Sequence, residues 1–410
     1  MNIIYLSSSC SDGKYAELLE KGYTKKLPQA QKYHRLLIEA LAATIDGSVT
    51  AISAFPVNRQ WTKKFKFERE EESVNGVHYV YGSFLNANLL RQITRRKEAM
   101  RDIKRLYKKD HDCVLICDVL NHSIATAARK CGRRYGIPVI GIVTDVPGHS
   151  SGARRKTLSF VNRMISKYGS LYAKKDLKKY DAYLLLTEDM NGVVNLRKKP
   201  YIVIEGHCDA NMEQIPNSLE DKSYPKVAIY AGGIHKEFGI ERMVNAFLKG
   251  NFEGWELHIY GDGNYQNDLR QVADKNSNVK YFGVQPNKHI VEQQLKASLL
   301  LNPRFTYAEY VKYSFPSKTM ECMASGTPLM TTKLPGMPKD YYPYVYFFED
   351  ESEEGMLEAF RAVLSKSGEE LHSFGADAKV FVIQKKTNLV QAKKLIEFIN
   401  STFGEIRDEL

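Results

Sequence analysis

The residues best suited to chemistry lie in one stretch, Tyr313 to Pro328, which reads YSFPSKTMECMASGTP. Pro316 and Ser317 are typical of a helix start, because Ser caps helix N-termini and Pro fixes the entering backbone. A helix N-terminus attracts phosphate through its N–H groups and positive dipole, and Lys318 adds a full charge there. Glu321 follows about one turn later on the same face, where its carboxylate can accept hydrogen bonds from a ribose diol. The stretch therefore predicts a site for a nucleoside diphosphate.

Three turns rich in glycine precede this stretch, each directly after a predicted strand. They contain Gly232 and Gly233, then Gly261 and Gly263, and then Gly283. Loops at the carboxyl ends of parallel strands gather around ligands, so four such loops could surround one nucleotide. Each glycine turn alone is a weak signal, and turn geometry and ligand approach are compatible roles for the same residue.

The elements that must position these loops alternate between strand-like and helix-like segments along the whole chain. This alternation predicts an α/β fold with doubly wound parallel sheets. A length of 410 residues is too great for one ordinary core and indicates two domains. We place them at residues 1–200 and 201–385, with a linker rich in Pro and Gly near their junction. Residues 386–410 are predicted to form a helix that packs back on the first domain.

Four segments of the second half, taken together, resemble family 4 glycosyltransferases: YAGGIHKEFGIERMVNAF (230–247), LHIYGDGNYQNDL (257–269), VKYFGVQPNKHI (279–290) and SFPSKTMECMASGTPLM (314–330). The resemblance covers about residues 201–403 and thins in the first half. It implies a GT-B fold, with two facing Rossmann-like domains and a cleft between them. It also implies sugar transfer from a nucleotide sugar, with retention and without a metal or other cofactor.

The resemblance also implies roles for particular residues. Glu321 matches the second acid of the family's paired-acid motif and would contact the ribose, whereas the first acid falls at Tyr313. Two family cations that bind phosphate align with Gly233 and Phe238, so the chain departs there as well. The cations Lys236, Lys318 and Arg304 are the candidate replacements. Arg304 suits a structural ion pair equally well.

Two residues of the first domain are candidates for contact with the reacting sugar or the acceptor. Asp145 follows the buried strand IPVIGIV, where relatives often place a His, and His122 follows the strand VLICDVL. A carboxylate near an oxocarbenium-like transition state would stabilise it. Asp145 could instead cap a turn, and that interpretation stays open.

Charge is divided unevenly between the two halves. Residues 1–200 carry 36 Lys and Arg against 19 Asp and Glu, whereas residues 201–410 carry 23 against 29. Segments 89–109 and 154–179 hold nine Lys or Arg each. Each is either a solvated helix face or a surface that meets anionic membrane. No nucleic-acid recognition pattern accompanies the charge, so we expect no specific nucleic-acid partner.

We therefore predict a cytoplasmic glycosyltransferase, associated with the inner membrane face, that binds a UDP-sugar donor and a glycan or lipid-linked acceptor. The first residues lack a basic region before their apolar run, so no secretory signal is expected. The role suggested by the resemblance is capsule or exopolysaccharide synthesis. Two alternatives stay open. One is a catalytically degenerate partner subunit, because Tyr313, Gly233 and Phe238 depart from the family's acid and cations. The other is a nucleotide-sugar epimerase of the same fold.

Overall fold

The computed structural model describes residues 1–24, 28–57, 59–146 and 176–407. The chain divides into two compact units. The first unit comprises Met1–Glu205 and the C-terminal residues from Asn388 onward, and the second comprises Gly206–Thr387. The boundary falls later than residue 200 because the strand at Tyr201–Val203 pairs with Ala182–Leu185 of the first sheet.

The first unit is a doubly wound α/β layer structure. Its strands are β1 Asn2–Ser7, β2 Val49–Ser53, β3 Lys66–Phe67, β4 Glu70–Val74, β5 Val77–Tyr81, β6 Phe84–Leu85, β7 Cys113–Asp118, β8 Val139–Val143, β9 Ala182–Leu185 and β10 Tyr201–Val203. Its first helices are α1 Asp12–Glu20, α2 Pro28–Thr44, α3 Asn88–Lys109, α4 His122–Tyr135 and α5 Asp189–Val194. The large sheet has the order β10-β9-β8-β7-β1-β2-β5-β4 and is parallel except for the β4–β5 hairpin. The predicted parallel sheet is present because strands such as β7 are continuous apolar runs, buried on both faces.

The second unit repeats this architecture with six parallel strands among the described residues. They are β11 Lys226–Ala231, β12 Trp255–Tyr260, β13 Val279–Gly283, β14 Leu299–Asn302, β15 Leu329–Thr332 and β16 Tyr346–Phe348, in the order β13-β12-β11-β14-β15-β16. The helices are α6 Ile240–Gly250, α7 Gln266–Lys275, α8 Asn287–Lys296, α9 Ser317–Ser325, α10 Glu353–Leu364 and α11 Gly368–Lys385. The strand order reverses between β11 and β14, and ligands bind at such a switch point in open α/β sheets.

The last helix, α12 Asn388–Arg407, packs against α2 in the first unit. Its side chains Ala392, Leu395, Ile399 and Phe403 enter the core beneath the first sheet. None of the described helices combines the length and the hydropathy that a transmembrane span requires.

Candidate functional site

The loops that follow β11, β12 and β13 are joined by backbone hydrogen bonds. The N–H of Gly232 donates to the carbonyl of Tyr260 at 2.9 Å, and the N–H of Gly261 donates to the carbonyl of Gly283 at 2.8 Å. The three glycine turns that the sequence singled out therefore meet at one edge of the second sheet. They form a single backbone surface next to the switch point.

Two of these glycines are required by close packing between the loops. A Cβ on Gly261 would lie 1.8 Å from the carbonyl oxygen of Gly232, and the backbone of Gly261 has a φ of +129°. A Cβ on Gly263 would lie 2.0 Å from the carbonyl oxygen of Ile234. Any side chain at either position would force the loops apart, so both glycines serve the packing of this edge.

Helix α9 directs its N-terminus toward the same edge. Its N-cap is Pro316, without a side-chain cap, and Ser317 is the first helical residue, so the predicted capping role of Ser317 is wrong. The ammonium of Lys318 donates a hydrogen bond to the carbonyl of Ala231, the last residue of β11. A Cβ on Gly232 would lie 2.8 Å from this Nζ, so a glycine at 232 leaves room for the ammonium.

Lys318 is half-buried. Burial lowers its pKa, while the carboxylate of Glu321 acts in the opposite direction. An ammonium has three donors, so the bond to Ala231 leaves two for an anion. Glu321 lies on the same helix, half-buried, close enough for its charge to act on Lys318. Tyr313, also half-buried, ends a short 3-10 helix at Glu309–Tyr313, just before α9.

Arg304 follows β14 and is held by aromatic rings. Its guanidinium carbon lies 5.1 Å from the ring centroid of Phe238 and 5.3 Å from that of Tyr310. Its Nε is buried without a hydrogen-bond acceptor, and no carboxylate among the described residues pairs with it. The loop of Phe238 is drawn close because the next residue, Gly239, brings its backbone against the carbonyl of Pro303. Arg304 thus offers positive charge beside Phe238, a position at which the sequence resemblance implies a phosphate-binding cation.

Lys236 is placed differently. Its ammonium pairs with Asp268 at 2.8 Å and with Glu241 at 3.1 Å, and it lies 5.3 Å from the ring of Tyr265. Hydrogen bonds to Asp268 and Glu241 raise its pKa. Two carboxylates thus offset its charge, whereas no carboxylate in the described part of the chain pairs with Arg304.

The two candidates of the first unit follow neighbouring strands. Asp145 lies exposed two residues after β8, and His122 opens α4 after β7. The Nδ1 of His122 lies 3.8 Å from the carboxylate of Asp176, which also pairs with Arg129 at 2.7 Å. The fold therefore brings Asp145 and His122 to the same edge of the first sheet, but they belong to a different unit from the glycine loops.

A buried polar cluster in the first unit was missed by the sequence interpretation. The hydroxyl of Tyr5 bonds Nδ1 of His34 at 2.7 Å, and Nε2 of His34 lies 3.8 Å from the carboxylate of Asp118. Burial lowers the pKa of His34 to about 4 and raises that of Asp118 to about 6. Asp118 is the last residue of the otherwise apolar strand β7, and this polar residue was the feature of the sequence that could have indicated the cluster. The described residues contain no group of three or more His, Cys, Asp or Glu arranged to hold a metal ion.

Comparison with known proteins identifies the class of the second unit. Residues 211–381 match the family model described as glycosyl transferases group 1. This match lies within the second unit and confirms there the predicted resemblance to glycosyltransferases and the predicted class of enzyme. No protein of curated function matches the chain by sequence.

Solved structures agree on the fold. The chain is similar to sucrose-phosphate synthase from Thermosynechococcus elongatus, with a TM-score of 0.67 and 12% identity, over 99% of this chain and all of that one. It is also similar to WaaG, a glycosyltransferase of lipopolysaccharide biosynthesis, with a TM-score of 0.60 and 15% identity, over 97% and 99% of the two chains. HepE of Anabaena, solved with UDP, matches with a TM-score of 0.59 and 12% identity, over 98% and 100%. The predicted GT-B fold with two Rossmann-like units is confirmed.

Proposed function

We propose that the chain transfers a sugar from a UDP-sugar to a glycan or lipid-linked acceptor, with retention and without a metal. The observation that carries the proposal is the meeting of Lys318 with the glycine loops at the switch point of the second sheet. An anionic diphosphate at this edge would receive hydrogen bonds from α9 and charge from Lys318 and Arg304. The same groups would stabilise the negative charge that develops on the leaving diphosphate.

The solved structure of HepE with UDP supports the choice of a uridine nucleotide as the first ligand to test. A thermal-shift panel of UDP-, GDP- and ADP-sugars tests donor binding, because a ligand that binds only the folded state raises its stability. We expect the UDP-sugars to give the largest shift. If no nucleotide sugar shifts the unfolding midpoint at millimolar concentration, the donor assignment is refuted.

Glu321 provides a sharper test of the orientation of the nucleotide. The variant Glu321→Gln should weaken UDP binding about tenfold or more, because a hydrogen bond to a charged group contributes about 1.5–3 kcal/mol. It should not change the affinity for the 2′,3′-dideoxy analogue, which lacks the diol. The exposed Glu292 on α8 supplies a matched control, since Glu292→Gln removes the same charge elsewhere.

The residue at 313 favours one alternative, a subunit that binds a nucleotide without transferring sugar. Turnover distinguishes the two functions. Release of UDP that depends on an acceptor, with the product anomer read by NMR, supports transfer with retention. Nucleotide binding without release supports the degenerate subunit, and an altered sugar still attached to UDP supports epimerisation. Full activity in excess chelator is expected from a transferase that does not use a metal.

We also propose that α3 contacts an anionic membrane, where a lipid-linked acceptor would lie. Leu90 and Ile93 are 46% and 38% exposed on this basic helix, beside its cations. Apolar side chains beside cations are typical of helices that lie on membrane surfaces. Most of the predicted segment 154–179 lies outside the described residues. The variant Leu90→Ser/Ile93→Ser should sediment less with vesicles rich in phosphatidylglycerol, and an unchanged bound fraction would count against membrane contact through α3.

A further inference from the structure

Two arginines near the start of α3 point to a second anion site, in the first unit. Arg91 and Arg95 lie four residues apart and therefore on one helix face. Arg95 donates a hydrogen bond to the carbonyl of Phe55 at 2.6 Å, and Arg91 donates to that of Val57 at 3.3 Å. Both carbonyls belong to the loop that follows β2. This loop lies at the carboxyl edge of the sheet, where doubly wound folds bind ligands.

Both guanidinium groups have donors that the described protein does not use. The Nε atoms of Arg91 and Arg95 are buried without a hydrogen-bond acceptor. No carboxylate within the described ranges pairs with either side chain. Burial and the charge of Arg91 together lower the pKa of Arg95 to about 9. Two like charges are thus held together in a partly dehydrated place, and no described residue supplies a counter-ion.

Arg95 is also fixed in position before any ligand binds. Its guanidinium carbon lies 4.1 Å from the ring centroid of Phe84, and this ring stacks on Phe67 at 4.8 Å. Phe84 and Phe67 are both buried. The Phe84 and Phe67 rings, which we call the aromatic floor, and the carbonyl of Phe55 together orient the remaining donors of the guanidinium. Less conformational entropy of the side chain is therefore lost when a ligand binds.

Other arginines of the same helix show that this arrangement is not simply a solvated face. Arg101 pairs with Glu98, and Arg105 pairs with Glu71 at 3.1 Å. Carboxylates thus pair with these two later arginines, whereas neither Arg91 nor Arg95 has a carboxylate partner among the described residues. Buried charge without a partner is costly, and a phosphate matches the fork geometry of guanidinium groups.

We propose that Arg91 and Arg95 form a phosphate-binding site that holds the phosphate or diphosphate group of the acceptor. The assignment of that phosphate to the acceptor depends on the proposed transferase function, whereas the anion site itself does not. The acceptor would then be a glycan linked through phosphate or diphosphate to its carrier. Its phosphate would bind in the first unit, while the donor diphosphate binds in the second.

Calorimetric titration of the full chain with inorganic pyrophosphate tests the site. The titration is made in an Arg304→Gln/Lys318→Gln background, which removes the proposed donor cations. Adding Arg91→Gln/Arg95→Gln should lower the affinity at least about tenfold, because charge-assisted hydrogen bonds to both side chains are lost. The control Lys97→Gln/Lys104→Gln removes two exposed cations of the same helix and should change the affinity less than about twofold.

The variant Arg91→Lys/Arg95→Lys controls for a folding defect. It keeps both charges but loses the forks, so it should bind pyrophosphate at an intermediate affinity with an unchanged unfolding midpoint. Equal loss in the Gln pair and in the control pair would overturn the proposal. So would weaker binding to vesicles of phosphatidylglycerol with unchanged pyrophosphate binding, because lipid headgroups would then explain the arginines. If Arg304→Gln/Lys318→Gln leaves UDP affinity intact, the donor site fails while the result for the first unit still stands.

Discussion

Replacement of Arg304 by Leu is expected to weaken UDP binding more than it weakens the fold. The guanidinium lies 5.1 and 5.3 Å from two aromatic rings and has no described carboxylate partner. Loss of two cation–π contacts costs about 1–2 kcal/mol of unfolding free energy. Loss of charged hydrogen bonds to phosphate costs about 1.5–3 kcal/mol of binding, which raises the dissociation constant roughly 10- to 150-fold.

Titration calorimetry with UDP and with uridine separates these effects. The Leu variant should lose affinity for UDP and keep its weak affinity for uridine, because only UDP carries the diphosphate. The UDP affinity of Arg304→Lys should lie between that of the unsubstituted protein and that of the Leu variant, since Lys keeps the charge but lacks the planar guanidinium. Lys236→Gln is the comparison: its ammonium is already held by Asp268 and Glu241, so a smaller change is expected. Equal losses for UDP and uridine, or a larger effect at Lys236, would refute the reasoning.

Two further predictions concern the fold around the candidate sites. Gly261→Ala should lower the unfolding free energy by more than about 2 kcal/mol and abolish UDP binding, because its Cβ would meet the carbonyl of Gly232. Urea denaturation measures this, and Gly13→Ala, which meets nothing within 4 Å, should be nearly neutral. In Asp118→Asn, His34 is the remaining titratable group of the buried pair. Burial lowers its pKa from 6.5 to about 4, so the unfolded state binds more protons in that range and the unfolding free energy should rise as the pH increases from 4 to 6.5. In His34→Gln, Asp118 remains, and burial raises its pKa from 3.8 to about 6, so the unfolding free energy should fall as the pH increases from 4 to 6. If the unfolding free energies of the two variants changed with pH in the same direction, both assignments would be contradicted.

The part of the candidate site that could be predicted consists of short motifs, each contained in a few consecutive residues. The order of the glycine turns and the stretch from Tyr313 to Pro328 pointed to one edge of a parallel sheet, because strands of such a sheet end side by side. The structure places Gly232, Gly261 and Lys318 together there. The sequence could not rank the cations, because Lys236 and Arg304 differ only in the partners that folding gives them.

The α/β fold and the glycine turns could be predicted from the chain alone, because apolar periodicity and turn residues are local properties, and four short segments carried the resemblance that implied the class of enzyme. Which charges are compensated depended on how the chain folds. Asp268 reaches Lys236 from a different helix, and His34 meets Asp118 across 84 positions of sequence. Arg91 and Arg95 look like ordinary residues of a basic helix until the β2 loop and the aromatic floor surround them. Burial and long-range pairing set the energy of a charge, and neither can be read from its neighbours along the chain.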